Sequence, residues 1–446
     1  MDESQTPTRE PSAAGRAVPI GPDMNSPDPA DCAALPGPEV SVRIDRRLRR
    51  LLTSVPFASA APQLGFAVTA YFMALQVQAI DDAAKVANLA IVNVAGAMAA
   101  VVTQPLIGVV SDRTRTRMGA RAPWMLIGAL IGSAGMITAG LSRSIAVLVV
   151  AAMIVQFGFN ALSGPLSAIL PDRIPNRLRG RYSTLAGLGS ITAAILGPFL
   201  ASAFIDRIFL GYGVVAAIIL VIVTAFIVWN PESDNRGVPR EAFAARTFAT
   251  SFWINPRRYP DFGWSFLGRI LIFGGYFMLL SYQLYLAQGY IGLSTAEAAK
   301  IIPLIGAVAL PGFLIAILVA GPYSDRVGRR KPLVLFGGLT IAASALIPWL
   351  VPATASLFAQ GVVATIGFGA FTAVDQALVS EVLPAQENSA KDLGILNIAA
   401  TLPGGVAPII AATIVHLFGS YGALYPTAAV VALLGALAVL PIKGVR

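Results

Sequence analysis

With one cysteine, one histidine and few charges in 446 residues, the chain is marked first by what it cannot do. Lone Cys32 supports neither a disulfide framework nor a cysteine metal cage. Lone His416 removes His-dependent triads and His-based metal clusters. No cofactor and no metal is therefore expected. No G-x-x-x-x-G-K-[ST] phosphate loop occurs, so nothing points to direct ATP drive. Charged residues make up 12% of the chain, against about 25% in a soluble domain. What fills their place is apolar: 56% of residues are hydrophobic and the mean hydropathy is +0.72. Most of the chain is expected to sit in a lipid bilayer.

The net charge of +9 does not indicate a nucleic-acid partner, because the basic residues fall in short clusters between apolar runs, as membrane orientation requires. The first 42 residues are rich in Pro, Ser, Asp and Ala and lack the apolar core of a signal peptide. With the basic collar Arg43, Arg46, Arg47, Arg49 and Arg50, residues 1–54 read as a disordered cytosolic tail meeting anionic headgroups.

A membrane-spanning helix needs about 20 mostly apolar residues. Twelve stretches qualify, near 55–79, 88–111, 123–141, 145–169, 184–205, 209–229, 262–287, 295–321, 333–352, 355–380, 392–416 and 422–441. The fold expected is all-α, with twelve spans in two six-helix bundles. Placing the amino terminus in the cytosol leaves only Lys85, Arg143, Arg207 and Lys300 of the 32 Lys and Arg residues on the other side, with Arg269 inside a span. Both termini are thus expected to be cytoplasmic, in a bacterial plasma membrane.

The longest connection, 231–261, contains Pro231, Gly237 and Pro239 and separates one bundle, 55–230, from the other, 262–446. An internal repeat agrees with this division. GVVSDRTRTRMGARAP follows span 2 and GPYSDRVGRRKP follows span 8. The interval between Asp112 and Asp325 equals that between Leu170-Pro171 and Leu383-Pro384. Parallel repeats of this kind place a substrate site between the halves, near the bilayer midplane.

Gly108, Asp112 and Arg113 end span 2, and Gly321, Asp325 and Arg326 end span 8, the latter followed by Gly328, Arg329 and Arg330. These residues resemble the signature loop of the major facilitator superfamily, G-x-x-x-D-R-x-G-R-[RK]. The second copy fits closely, whereas in the first Gly119 and Arg121 stand four residues later. That longer form, SDRTRTRMGARAPW, resembles the glycoside-pentoside-hexuronide and sucrose/proton symporters. The superfamily resemblance spans roughly 55–441. It implies a twelve-helix transporter that works by alternating access, with Asp112 in a latch between halves that favours the outward-open state. Arg115, Arg117 and Arg121 are taken individually as orientation charges rather than latch residues, because orientation alone needs basic loops.

Polar residues inside the spans are the better guide to substrate, because they are costly in lipid and face an interior cavity. Arg269 in span 7 and Asp375 in span 10 are opposite in sign and similar in depth. By the resemblance, spans 1, 4, 7 and 10 line the pathway. The two residues either pair structurally or take part in proton exchange. Arg269, Tyr276 and Gln283 recur every seven residues and share one helical face. Tyr282 and Tyr285, near the outer end, read as an aromatic belt. Gln156 and Asn160 share a face of span 4, and Asn93 and Gln104 a face of span 2. Each of these four either binds solute hydroxyls or joins two helices.

The leading expectation is a secondary transporter of a small solute, a sugar or glycoside moved with protons, working as a monomer. Melibiose-type symporters carry carboxylates in their early helices, but spans 1, 2, 4 and 5 hold no Asp or Glu, which disfavours sodium coupling. An alternative is a proton-driven exporter of hydrophobic compounds. Gly197-Pro198 resembles part of that group's fifth-helix motif, although Phe199-Leu200-Ala201 follow. A membrane-embedded transferase is a third reading, but it would need an acid/base or metal constellation that isolated carboxylates and one histidine do not supply.

Overall fold

The computed structural model describes residues 45–237, 259–382 and 389–442, without the side chains of 176, 325, 376, 377 and 379–401. Segment 1–44 with Cys32, residues 238–258 with Pro239, and Leu383-Pro384 lie outside the described residues.

Every apolar stretch becomes helix, because a backbone in lipid must satisfy its polar groups internally. The helices are α1 (Arg46–Ile80), α2 (Lys85–Arg113), α3 (Ala122–Gly140), α4 (Ile145–Arg173), α5 (Asn176–Ser202), α6 (Ile208–Trp229), α7 (Pro260–Ser281), α8 (Gln283–Gly289), α9 (Thr295–Val327), α10 (Lys331–Leu350), α11 (Thr354–Val382), α12 (Ser389–Phe418) and α13 (Leu424–Leu437). Among the described residues there is no strand. Ten of the helices are long and apolar enough to cross a membrane, and Leu402–Phe418 and Tyr421–Leu437 are shorter apolar helices. The chain is an integral membrane protein of twelve spans, the seventh made of α7 and α8.

Two features differ from the expectation. Helix α1 begins at Arg46, so Arg46, Arg47, Arg49 and Arg50 of the collar and the residues up to 54 are helical rather than tail, while Arg43 lies outside the described residues. Arginine is a strong helix former, and no proline or glycine interrupts the run before Pro56. The seventh span breaks at Tyr282, whose backbone leaves the helical region (φ −110°, ψ 14°). Gln283 therefore begins a new helix, and the polar face continues only through Arg269 and Tyr276.

Local signals set the ends. Ser144 caps α4 by accepting from the Val147 N–H. Ser294 and Glu297 form a reciprocal capping box at the start of α9. Small residues set the packing within each half. A methyl added at Gly158 of α4 would lie 2.1 Å from the Gly132 nitrogen of α3, and one at Gly367 of α11 would lie 2.7 Å from the Gly337 carbonyl oxygen of α10. Helices α1–α6 pack mainly on one another, as do α7–α13, and two seams join the sets, α2 on α12 and α5 on α9. The end bearing loops 114–121 and 328–330 is called the basic end below, and the end bearing 80–85 and 282–297 the distal end.

Candidate functional site

At the basic end, Asp112 stands in the last turn of α2 and Arg121 just before α3. Arg121 joins three elements. Its guanidinium pairs with Asp112 and, at 3.0 Å, with Asp172 of α4, and its Nη1 donates to Ser111 Oγ at 3.1 Å. Burial alone would pull the Arg121 pKa down, but the two carboxylates hold it above its ordinary value. Among the described residues, the side-chain contacts of Arg121, Asp112 and Asp172 stay within the first half.

The second loop repeats the first in atomic detail. Ser111 Oγ donates to the Ala120 carbonyl at 3.4 Å, and Ser324 Oγ to the Arg329 carbonyl at 3.5 Å. Arg121 donates to Ser111, and Arg330 to Ser324 at 3.4 Å. Gly119 (φ 84°) and Gly328 (φ 62°) both take the left-handed conformation that a tight turn demands of glycine. Arg330 is thus the structural counterpart of Arg121, and the four extra residues, Arg115 to Met118, are inserted before the shared turn. Arg113 ends α2, Arg326 lies in the last turn of α9 and Arg329 in the loop after it, and the Asp325 side chain lies outside the described residues. No described atom comes within 4 Å of a methyl built on Gly108 or Gly321, so neither motif glycine serves a close helix approach among the described residues.

Inside the bundle, nearer the basic end than the distal end, Arg269 of α7 and Asp375 of α11 form an ion pair, Nη1 to Oδ2 at 3.3 Å, with side chains 10% and 7% exposed. Beyond this ion pair, Nε and Nη1 of Arg269 have no hydrogen-bond partner among the described residues. The guanidinium lies 5.7 Å from the centre of the Phe273 ring. Phe273 meets Phe368 and Phe371 edge-on, and Tyr276 stacks flat on Phe368 at 4.2 Å. One wall beside the ion pair is therefore aromatic.

In the other half, three amides form a chain. Gln104 Nε2 donates to Asn160 Oδ1 at 3.0 Å, and Asn160 Nδ2 donates to Gln156 Oε1 at 3.1 Å and to the Gln156 carbonyl at 2.7 Å. This links α2 to α4, so Gln104, Asn160 and Gln156 share one network. Asn93 is half-buried and has no side-chain hydrogen bond among the described residues, and the same is true of Gln283.

The distal end holds a group that its sequence did not reveal. Tyr71 donates to the Ala299 carbonyl at 2.6 Å, and Tyr285 to the Ala74 carbonyl at 2.9 Å. The Tyr282 hydroxyl lies between the carbonyls of Val86 (3.0 Å) and Pro408 (3.1 Å). Gln78 and Gln288 exchange hydrogen bonds of 2.9 and 3.1 Å. All of these contacts except Tyr282–Pro408, which lies within the second half, cross from the first half to the second. Tyr282 and Tyr285 are fully buried, which corrects their reading as an interfacial belt. The break in the seventh span that places them carries no proline or glycine, so the sequence offered no signal for it.

A family model described as the Major Facilitator Superfamily matches residues 57–316 and 304–444. No curated protein sequence matches the chain. Among solved structures, a bacterial homolog of the human lysosomal transporter Spinster, inward-facing and unoccupied, is similar with a TM-score of 0.66 at 14% identity, covering 89% of this chain and 95% of its own. The peptide transporter POT gives 0.70 at 14% identity, covering 88% and 94%. The nucleoside transporter NupG gives 0.65 at 16% identity, covering 88% and 99%. At these identities the likeness is one of fold.

Proposed function

Because the chain belongs to the major facilitator superfamily and is a membrane transporter of that fold, we propose that it moves a small hydroxylated solute, a sugar or glycoside, together with protons. The observation that carries this reading is the Arg269–Asp375 pair, buried inside the bundle on the basic-end side of its middle. A carboxylate facing a fixed arginine can take a proton, and once it is neutral the arginine is freed to bind a solute oxygen. Because each ligand then favours one arrangement of the pair, proton and solute become coupled. The Gln104–Asn160–Gln156 chain supplies donors and acceptors for solute hydroxyls, with Asn93 on the same face of α2 as Gln104. Tyr276 and the aromatic wall pack against the apolar face of a sugar ring.

We further take the basic end as cytosolic. On that orientation the structure is inward-open, closed at the distal end by the tyrosines and the Gln78–Gln288 pair. Gly108 and Gly321, open here, become contact points when the basic end closes.

Reconstitution into proteoliposomes tests the reading directly. A sugar panel is expected to drive proton influx, with the response lost in Asp375→Asn. Export of hydrophobic compounds is favoured by the same aromatic wall of Phe273, Tyr276, Phe368 and Phe371. Proton antiport driven by cationic drugs, with no response to any sugar, would replace the first reading with this second one.

A further inference from the structure

The four-residue insertion in the first basic loop has a partner. Past α6 the chain does not leave the bundle but runs back along that loop. Asn235 behaves toward it as a short strand would: its side-chain Oδ1 accepts from the Thr116 N–H at 2.8 Å, its Nδ2 donates to the Thr114 carbonyl at 2.9 Å, and its own N–H approaches the Thr116 carbonyl at 3.4 Å. Thr116 belongs to the insertion. Glu232 reaches the other side of the turn, where its Oε2 accepts from the Arg121 N–H at 3.0 Å, at the positive end of α3. Gly119 makes room for it, since a methyl there would sit 2.1 Å from the same carboxylate oxygen. Arg173 completes the attachment by donating to the carbonyls of Asn230 and Pro231, each at 3.3 Å. Between strap and loop lies a cavity of about 750 Å³ lined by Arg47, Arg50, Asp112, Arg121 and Asp172 among others.

The second loop, four residues shorter, has no Thr116 equivalent. We propose that Glu232 and Asn235 are positioning residues that strap the central linker to the first loop and hold Arg121 between Asp112 and Asp172, presenting a rigid face for closure of the basic end. The physical reason is preorganisation: a loop already fixed in its docking geometry loses less freedom on closing than a mobile one. The strap touches no solute. It acts on the population of the closed state and on turnover, not on solute affinity. This inference rests on the alternating-access reading but not on the identity of the solute.

The test uses spin labels on Arg49→Cys and Val327→Cys, exposed on opposite halves at the basic end. Cys32→Ser provides a cysteine-free background, because it is the only cysteine. The double variant Glu232→Ala with Asn235→Ala is expected to shift the distance distribution toward the longer, basic-end-open population by about threefold. Glu232→Gln, which keeps the acceptor for the Arg121 N–H, is expected to stay near the parent. In transport, Vmax is expected to fall with KM unchanged. If the double variant folds and its distance distribution overlays the parent, the inference is overturned, whether or not its melting temperature drops. A population shift in a protein that moves none of the sugars tested would support the strap while removing the sugar reading.

Discussion

The two ends of the bundle use their polar groups in opposite ways. At the distal end, Tyr71, Tyr282, Tyr285 and the Gln78–Gln288 pair all bind across the halves. Among the described residues, Arg121, Asp112 and Asp172 at the basic end bind within the first half, and Glu232 and Asn235 tie the linker that follows to that same half. The difference is one of strength as well as direction. The distal contacts are neutral hydrogen bonds to carbonyls and amides, each worth roughly 0.6 kcal/mol and at most about 1.7 in membrane proteins. Such bonds can be exchanged during a transport cycle. The basic-end network is ionic and anchors a loop that must keep its shape while its surroundings change. Between them, the Arg269–Asp375 pair is the one described charge pair in the depth of the bundle.

Removing one partner of that central pair should have the largest effect. Arg269→Ala or Asp375→Ala is expected to abolish transport and to lower stability by about 3–5 kcal/mol, because the remaining charge is left buried. Thermal unfolding in detergent measures the loss. Neutralising both residues together should harm stability less than either change alone, and additive losses would show that the two do not interact. Next comes Arg121→Ala, which removes contacts to Asp112, Asp172 and Ser111 at once. Both carboxylates are substantially exposed, so solvent screening keeps the stability loss modest. Turnover is the sensitive readout, expected to fall about tenfold, equivalent to ~1.4 kcal/mol. Tyr282→Phe and Tyr285→Phe probe the other side of the comparison. Each deletes one cross-half hydrogen bond and is expected to raise the distal-open population about threefold, seen by labels at that end. Arg117→Ala should change least, since Arg117 is exposed on the loop, as a charge that serves only orientation would be. A large loss there would mean that the basic loop works by total charge rather than through Arg121.

Which features were legible in the sequence follows from how costly each is to misplace. The spans were readable because twenty apolar residues have few other uses, and Arg269 and Asp375 because charge in lipid demands a reason. Asp112 was readable from its motif. Arg121 was not separable from its neighbours, since orientation alone explains any arginine in that loop, and only the fold brings Asp172 to it. Tyr282 and Tyr285 were misread because aromatics at the outer end of a span are ordinary. Their burial depends on a helix break that no proline or glycine marks. Glu232 and Asn235 carry no motif in the connection 231–261, and their contacts appear only beside the inserted Arg115–Met118. The insertion itself was visible in the sequence, but its purpose was not.

The most direct measurement follows both ends at once. Spin-label pairs at Ala83→Cys with Ala296→Cys for the distal end, and at Arg49→Cys with Val327→Cys for the basic end, would be read under the same conditions, with and without solute and at several pH values. The account predicts opposite changes: as the distal pair lengthens, the basic pair shortens. Distances that move together, or that stay fixed while solute is transported, would contradict it.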